Sequence, residues 1–270
     1  MNETLGSPAE AYDRYIVPGI FGPRTAPLVA AVRPQPGERI LDLACGTGVV
    51  TRVVAPMVAH GGSVVGLDVS PAMLDIARST PLPEGAVDVE WVQANATDIP
   101  LPDDDVDAIV CQQGLQFFPD RDRGVSEMQR VLRPEGRLAI SVWRSLAHNN
   151  VPNALNDAML TRLGVPAGAA PFTLGDKDDL RRMLADAGFT DISIEEETAP
   201  ATFESSKLYV DVIVEGGAAV IPALSEMTPE ERAEARAGLH ADLADQLSDY
   251  ESGGVFRFPM STHIAVARAT

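Results

Sequence analysis

Apolar and polar positions follow two alternating regimes along this chain. Short apolar runs that end in a polar or glycine turn read as buried strands, and stretches with apolar residues three or four apart read as helices. The first run, Ile40 to Leu43, enters a turn containing Gly46 and Gly48. Val50, Val53, Val54, Met57 and Val58 follow at i, i+3, i+4, i+7 and i+8, which predicts a helix whose apolar face packs back on that strand. The pattern then repeats. Ser63 to Leu67 reads as a strand, and Ser70 and Pro71 supply the N-cap and first position of a second helix. Val87 to Val92 and Val106 to Cys111 are further strands, Arg121 to Leu132 a helix, and Arg137 to Val142 a fifth strand after the turn Arg133 to Gly136. Alternation of this kind predicts an α/β fold with a mainly parallel sheet, helices on both faces and right-handed crossovers. Ligands then bind at the carboxyl ends of the strands.

The second half reads differently. A helix from Asp176 to Ala187 stops at Gly188 and leads into a strand from Asp191 to Glu196. Two helices follow: Ser206 to Ala219, and a longer one that opens on the capping box Thr228-Pro229-Glu230-Glu231 and runs to Leu247. The chain closes on a strand from Val255 to Ala267. With no repeat, low-complexity tract or linker, the pattern predicts a single domain over residues 1–270, with an N-terminal helical cap at 1–36 and an inserted helical lid at about 203–252.

Composition narrows the partners. A chain of 270 residues with 45% hydrophobic content can bury a full core. Its formal charge of -18 opposes a nucleic-acid partner, since such binding rests on phosphate neutralisation by clustered Lys and Arg. The N-terminal stretch is polar, no apolar run approaches the ~18 residues of a membrane span, and a cytoplasmic location is expected. Cys45 and Cys111, at the ends of two predicted strands, are expected to be reduced buried thiols. His60, His148, His240 and His263 are scattered and none stands at ligand spacing from a cysteine, so no metal site is expected.

The chemistry concentrates at strand ends. Asp42 near the end of the first strand, the glycines Gly46 and Gly48, and Asp68 at the end of the second form a nucleotide-cofactor pattern shared with NAD(P)-dependent oxidoreductases. Two features oppose the nicotinamide reading. Thr51 replaces the third glycine of that fingerprint, and Asp42 would place negative charge beside a pyrophosphate that needs bare helix amides.

Four motifs in order carry a more specific resemblance: DLACGTG at Asp42 to Gly48, GLDVSPAML at Gly66 to Leu74, ANATDIPLPDDDVDAI at Ala94 to Ile109, and VLRPEGRL at Val131 to Leu138. Over Tyr12 to Trp143 the chain resembles the class I S-adenosylmethionine-dependent methyltransferases, in particular the small-molecule branch that includes the ubiquinone and menaquinone biosynthetic enzymes. The resemblance implies a Rossmann-like fold, a seven-stranded sheet with an antiparallel last strand, and S-adenosyl-L-methionine as cofactor with S-adenosyl-L-homocysteine as product. It also implies site roles. Asp42 faces the methionyl ammonium, directly or through water, beside the Ala44 to Gly48 backbone, and Asp68 accepts from the ribose hydroxyls. Val69 and Met73 flank the adenine. Asn95 and Ala96 read its edge, with Asn standing where the family has Asp and its carbonyl oxygen accepting from the exocyclic amine. Gln112 and Gln113 lie where the family contacts the methionyl group, and Tyr12, ahead of Tyr15, resembles the aromatic that closes over it. Ala44 stands where the family often has glycine, which is tolerable at negative φ.

Structural alternatives stand beside these roles: Asp42 and Asp68 as helix caps, Asn95 as a loop residue, Met73 as core. His148, after the fifth strand, is a candidate proton acceptor or a solvated loop histidine. Leu208, Val210, Val212, Ile213, Val220, Ile221 and Leu224 exceed what a solvated helix pair needs and point to a partly apolar acceptor, a dimer interface or simple core. The expected partner is a small-molecule methyl acceptor, methylated on O, N or C by in-line displacement, with no nucleic acid and with the chain a monomer or homodimer. A non-catalytic cofactor-binding regulator is the reading from another class.

Overall fold

The computed structural model describes residues 5–164, 168–218 and 222–270. Five strands run parallel: β1 (Arg39–Leu43), β2 (Ser63–Asp68), β3 (Val89–Gln93), β4 (Val106–Gln112) and β5 (Leu132–Trp143). Three more follow: β6 (Thr190–Phe203), the two-residue β7 (Glu251–Ser252) and β8 (Val255–Arg268). The sheet order is β3-β2-β1-β4-β5-β8-β6, with β8 antiparallel to β5 and β7 paired to β8 alone. This is the expected α/β sheet of seven strands plus one short one.

The helices, in chain order, are α1 (Pro8–Ala11), α2 (Gly22–Val32), α3 (Val49–Val54), α4 (Pro71–Ser79) and α5 (Arg121–Val131). They continue with α6 (Asn150–Leu163), α7 (Lys177–Asp186), α8 (Ser206–Gly217), α9 (Pro222–Ser225) and α10 (Pro229–Ser248). The chain divides into two compact units.

One unit comprises residues 24–143, 174–197 and 262–270. Successive side chains on a strand face opposite ways, so the apolar runs of β1, β2, β4 and β5 feed two cores. Leu41, Leu43, Val65, Leu67, Ile109 and Ile140 pack with Val125 and Met128 of α5 and Leu180 and Leu184 of α7. Ile40, Val64, Ala108, Val110 and Ala139 pack on the other face with Leu28 and Val32 of α2 and Val50 and Val54 of α3. By the same alternation Asp42 falls on the face of Ile40, beneath α3.

Two local expectations change here. The helix after the glycine turn ends at Val54 instead of continuing past Val58, and residues 55–61 form turns. Val58 stays buried, but Met57 is 42% exposed and leaves the packed face. The expected turn Arg133 to Gly136 lies inside β5: pairing with β4 jumps from Val106–Leu132 to Ala108–Arg137, and the extra residues bulge with Glu135 at φ 63°.

The other unit comprises residues 1–23, 144–173 and 198–261. Thr228 accepts from the backbone of Glu231 and the Glu231 carboxylate accepts from the Thr228 N–H, so the capping box read in the sequence starts α10. Leu239, Leu243 and Leu247 of α10 are buried, and α6 and α8 both pack on it. Polar bridges reinforce the contact: Arg162 reaches Asp242 at 2.7 Å and Arg232 reaches Glu215 at 3.0 Å. His240 Nε2 of α10 lies 2.9 Å from Asp211 Oδ1 of α8. Phe203, Tyr209, Phe256 and Phe258 form an aromatic cluster with ring separations from 5.0 Å, and burial pushes the Tyr209 phenol up. Val210, Val212 and Leu224, three of the seven residues of the apolar excess, are buried, as is Val214. Leu208 and Ile213 are half-buried, and Val220 and Ile221 lie outside the described residues.

Candidate active site

The site grows from the carboxyl ends of β1 and β2. Gly46 and Gly48 turn the chain in the left-handed region, at φ 55° and 85°, where a side chain is strained. At Gly48 a Cβ would also stand 2.6 Å from the Trp91 ring. The Gly46 N–H donates to Asp68 Oδ2 at 2.8 Å, and Asp68 Oδ1 accepts from the Ser70 N–H at 2.8 Å. Asp68 thereby ties the loop after β1 to the end of β2 and retains lone pairs on both oxygens. It is 9% exposed, and burial holds its carboxyl above the usual range.

Asp42 is 1% exposed. Its Oδ2 accepts from the Thr51 N–H at 2.8 Å and the Thr51 hydroxyl at 2.5 Å, while its Oδ1 is buried with no hydrogen bond. Thr51 is the third residue of α3, so its N–H is one of the donors a helix start leaves open. The capping role and the free-acceptor role expected as alternatives thus meet in one side chain. Burial is the main cause pushing Asp42 up to about 7, aided by the negative Asp68 and opposed by the Thr51 hydrogen bonds and Arg52.

Ala44 corrects a condition set by the sequence. It sits at φ 58°, not at negative φ, so an L-side chain occupies the left-handed region directly before the glycine turn. Its methyl group lies over Gly114, where an added Cβ would come within 2.6 Å. Ala44→Gly is expected to raise stability by about 0.5–1 kcal/mol as the left-handed strain is relieved. Urea denaturation checks this; a lowered midpoint would show that the methyl packing outweighs the strain.

The remaining expected site residues separate by environment. Val69, beside Asp68, is 64% exposed, an apolar surface available for a flat ring, whereas Met73 is buried at 6% and belongs to the interior. Ala96 is buried and Asn95 exposed. Asn95 Oδ1 accepts from both the N–H and the hydroxyl of Thr97, at 3.0 and 2.9 Å. The expected acceptor is therefore already committed, and Asn95 presents its amide N–H groups instead. Gln112 Oε1 accepts from the Thr25 hydroxyl at 3.2 Å. Gln113 is buried at φ 54°, its N–H donating to Ser141 O at 2.9 Å and its Oε1 accepting from Gln116 Nε2 at 3.0 Å.

Tyr12 and His148 belong to the other compact unit. Tyr12 begins a π-helical stretch, Tyr12–Phe21, with its ring 5.4 Å from that of Phe21. His148 is exposed in a short 3-10 turn with Nδ1 3.0 Å from Ser145 Oγ.

With this geometry in place, similarity to known proteins becomes informative. Residues 41–140 match the family model described as a methyltransferase domain. The chain is 33% identical over 172 residues to the ubiquinone/menaquinone biosynthesis C-methyltransferase UbiE of Pectobacterium carotovorum, an alignment covering 58% of this chain and 68% of that protein. The chain belongs to the class I S-adenosylmethionine-dependent methyltransferases. This methyltransferase is also 36% identical over 138 residues to the 2-phytyl-1,4-naphtoquinone methyltransferase of Synechococcus elongatus, covering 50% of this chain and 58% of that one. The solved YcgJ protein of Bacillus subtilis shares the fold, with a TM-score of 0.62 and 18% identity over 91% of this chain and 97% of that chain.

The residues present fit the methyltransferase cofactor. An unpartnered buried acid oxygen on Asp42, a carboxylate with spare lone pairs on Asp68 and an exposed apolar Val69 match an ammonium, a vicinal diol and an adenine face. The start of α3 is not bare: the Thr51 N–H donates to the Asp42 carboxylate at 2.8 Å, which leaves the helix start poorly suited to a pyrophosphate.

Sequence reasoning did not single out three groups. Thr51 entered only as a missing glycine; the signal was its place at the third helical position after an acid-ended strand. Gln116 and Ser141 carried no signal. Their Oε1 and Oγ, with Gln113 Nε2, are buried without hydrogen bonds near the ends of β4 and β5. Cys45 and Cys111 are free and buried as expected, and burial pushes both thiols up, Cys111 to about 12.

Proposed function

We propose that this methyltransferase methylates a carbon of a small, partly apolar ring acceptor of the quinol class. The observation that carries the reading is the similarity to the C-methyltransferase of quinone biosynthesis, which extends over 68% of that protein. The naphthoquinone methyltransferase of Synechococcus elongatus supports the same acceptor class.

S-adenosylmethionine supplies an activated methyl group on a sulfonium when bound. In this reading Asp42 Oδ1 takes the ammonium end, directly or through water, Asp68 takes the ribose hydroxyls, and Val69 lies along the adenine. The Asn95 amide and the Ala96 backbone meet its edge, and Gln112 and Gln113 approach the methionyl end. The protein's main contribution is to hold acceptor and methyl about 3 Å apart in line, an effect worth several kcal/mol of barrier. A quinol carbon becomes nucleophilic as its ring hydroxyl loses a proton, and His148 is the candidate to receive it. The net charge of -18 supports an absence of nucleic-acid partners, and among the described residues no helix is long and apolar enough to cross a membrane. The reading places the enzyme in the cytoplasm as a monomer or homodimer.

Methyl-labelled S-adenosylmethionine incubated with prenylated 1,4-naphthohydroquinones should yield a ring-methylated product, located by mass and NMR. Label on oxygen or nitrogen of other acceptors would move the acceptor class. Cofactor binding with no labelled product from quinols, phenols or amines would identify a regulator instead.

A further inference from the structure

Thr51 carries no role in the functional reading above, yet it makes two hydrogen bonds to the one buried acid of the glycine loop. Its backbone N–H and its hydroxyl both donate to Asp42 Oδ2, at 2.8 and 2.5 Å, and Thr51 is fully buried. The N–H is fixed by α3, so the carboxylate is held against the helix start from two directions. Oδ2 is thereby saturated, and Oδ1 is left as the single free acceptor of a side chain that is 1% exposed.

We propose that Thr51 is the positioning residue of the cofactor site: its paired donors fix the rotamer of Asp42 and hold Oδ1 ready for the cationic end of the cofactor. The inference rests on the reading of this loop as the S-adenosylmethionine site. A glycine at position 51, as in a dinucleotide fingerprint, would supply the N–H but no hydroxyl. Here the hydroxyl is the second clamp.

The charge on Asp42 is tied to the same contact. A buried carboxylate binds a cation best when ionised, and ionisation is opposed by desolvation and by the neighbouring Asp68. The groups that face it are Asp68 from the end of β2, Arg52 from α3, and the buried thiols of Cys45 and Cys111; only Arg52 and the Thr51 donors favour the anion. Removing the Thr51 hydroxyl should therefore keep Asp42 protonated to higher pH. Thr51→Ser retains the donor, and Thr51→Val retains the volume without it.

Binding of S-adenosylhomocysteine, followed by titration calorimetry from about pH 6 to 9, tests this without any turnover. Thr51→Val is expected to bind about fivefold more weakly than the natural protein near pH 7 and to recover toward it by pH 9, a displacement of about one pH unit. Thr51→Ser should follow the natural profile. Thr51→Ala, which also leaves Oδ2 with the backbone donor alone, is measured beside it, so that a folding failure of the valine variant does not decide the matter. Equal affinity and an unshifted pH profile in a folded Thr51→Val or Thr51→Ala protein would overturn the proposal, as would a Thr51→Ser protein that behaves like them. An absence of S-adenosylhomocysteine binding in the natural protein at every pH would strike the cofactor assignment of the loop instead.

Discussion

Asp68→Ala is expected to weaken S-adenosylhomocysteine binding by tenfold or more, on the order of the ~1.5–3 kcal/mol of hydrogen bonds to a charged group. The carboxylate acts twice. Its oxygens have spare lone pairs for a vicinal diol, and the same oxygens hold the Gly46 and Ser70 N–H groups at 2.8 Å each. Truncation therefore removes the ligand contact and releases the loop that shapes the pocket. Asp68→Asn separates the two effects, because one amide oxygen can still accept while the other position becomes a donor facing an N–H. If alanine lowers affinity far more than it lowers the thermal midpoint, the ligand contact dominates. Unchanged affinity in a folded Asp68→Ala protein would remove Asp68 from the cofactor site.

The strands that carry these acids were legible because burial on both faces leaves a continuous apolar signal. Ile40 to Leu43 and Ser63 to Leu67 stand out for that reason, and observed β1 and β2 differ from them by a residue at one end. The capping box at Thr228 and the N-cap at Ser70 were legible for a different reason: each acts on a donor three residues away, within the reach of local sequence. What escaped was tertiary. The φ of Ala44 is set by the path from β1 into the glycine turn and by the space above Gly114, neither of which is written in neighbouring residues. Asn95 read as an acceptor because its type allows it, whereas its geometry turns the oxygen onto Thr97. Met57 kept the helical period while the helix itself ended at Val54, so periodicity placed it on a face that no longer existed. The acceptor end was least legible: of its candidate apolar residues in α8, Val210 and Val212 are buried while Leu208 and Ile213 are half-buried, and composition does not distinguish a pocket lining from a core.

Asp42→Asn should change stability in a pH-dependent way, and in the direction opposite to an ordinary paired carboxylate. The ordinary value of the acid is 3.8, and burial raises it to about 7 in the folded protein. Below the lower value the group is protonated in both states and costs nothing. Between the two, the folded protein keeps a proton that the unfolded chain has released, so stability falls as pH rises. Above the upper value the full cost is present, on the order of 4 kcal/mol for a displacement of this size. An asparagine carries no charge to desolvate and can still accept from Thr51 through its carbonyl oxygen. Its N–H groups fall where Oδ1 has no partner, which returns ~1–3 kcal/mol of the gain. The variant is therefore expected to be about 2 kcal/mol more stable than the natural protein near pH 8 and no more stable near pH 4.5, as read by urea unfolding. It should also bind S-adenosylhomocysteine more weakly, because the anionic partner of the ammonium is gone. Parallel stability profiles across this range would show that Asp42 is ionised in the fold at ordinary cost. A stability gain at high pH together with lost affinity would mark Asp42 as an acid kept for ligand binding at the expense of the fold.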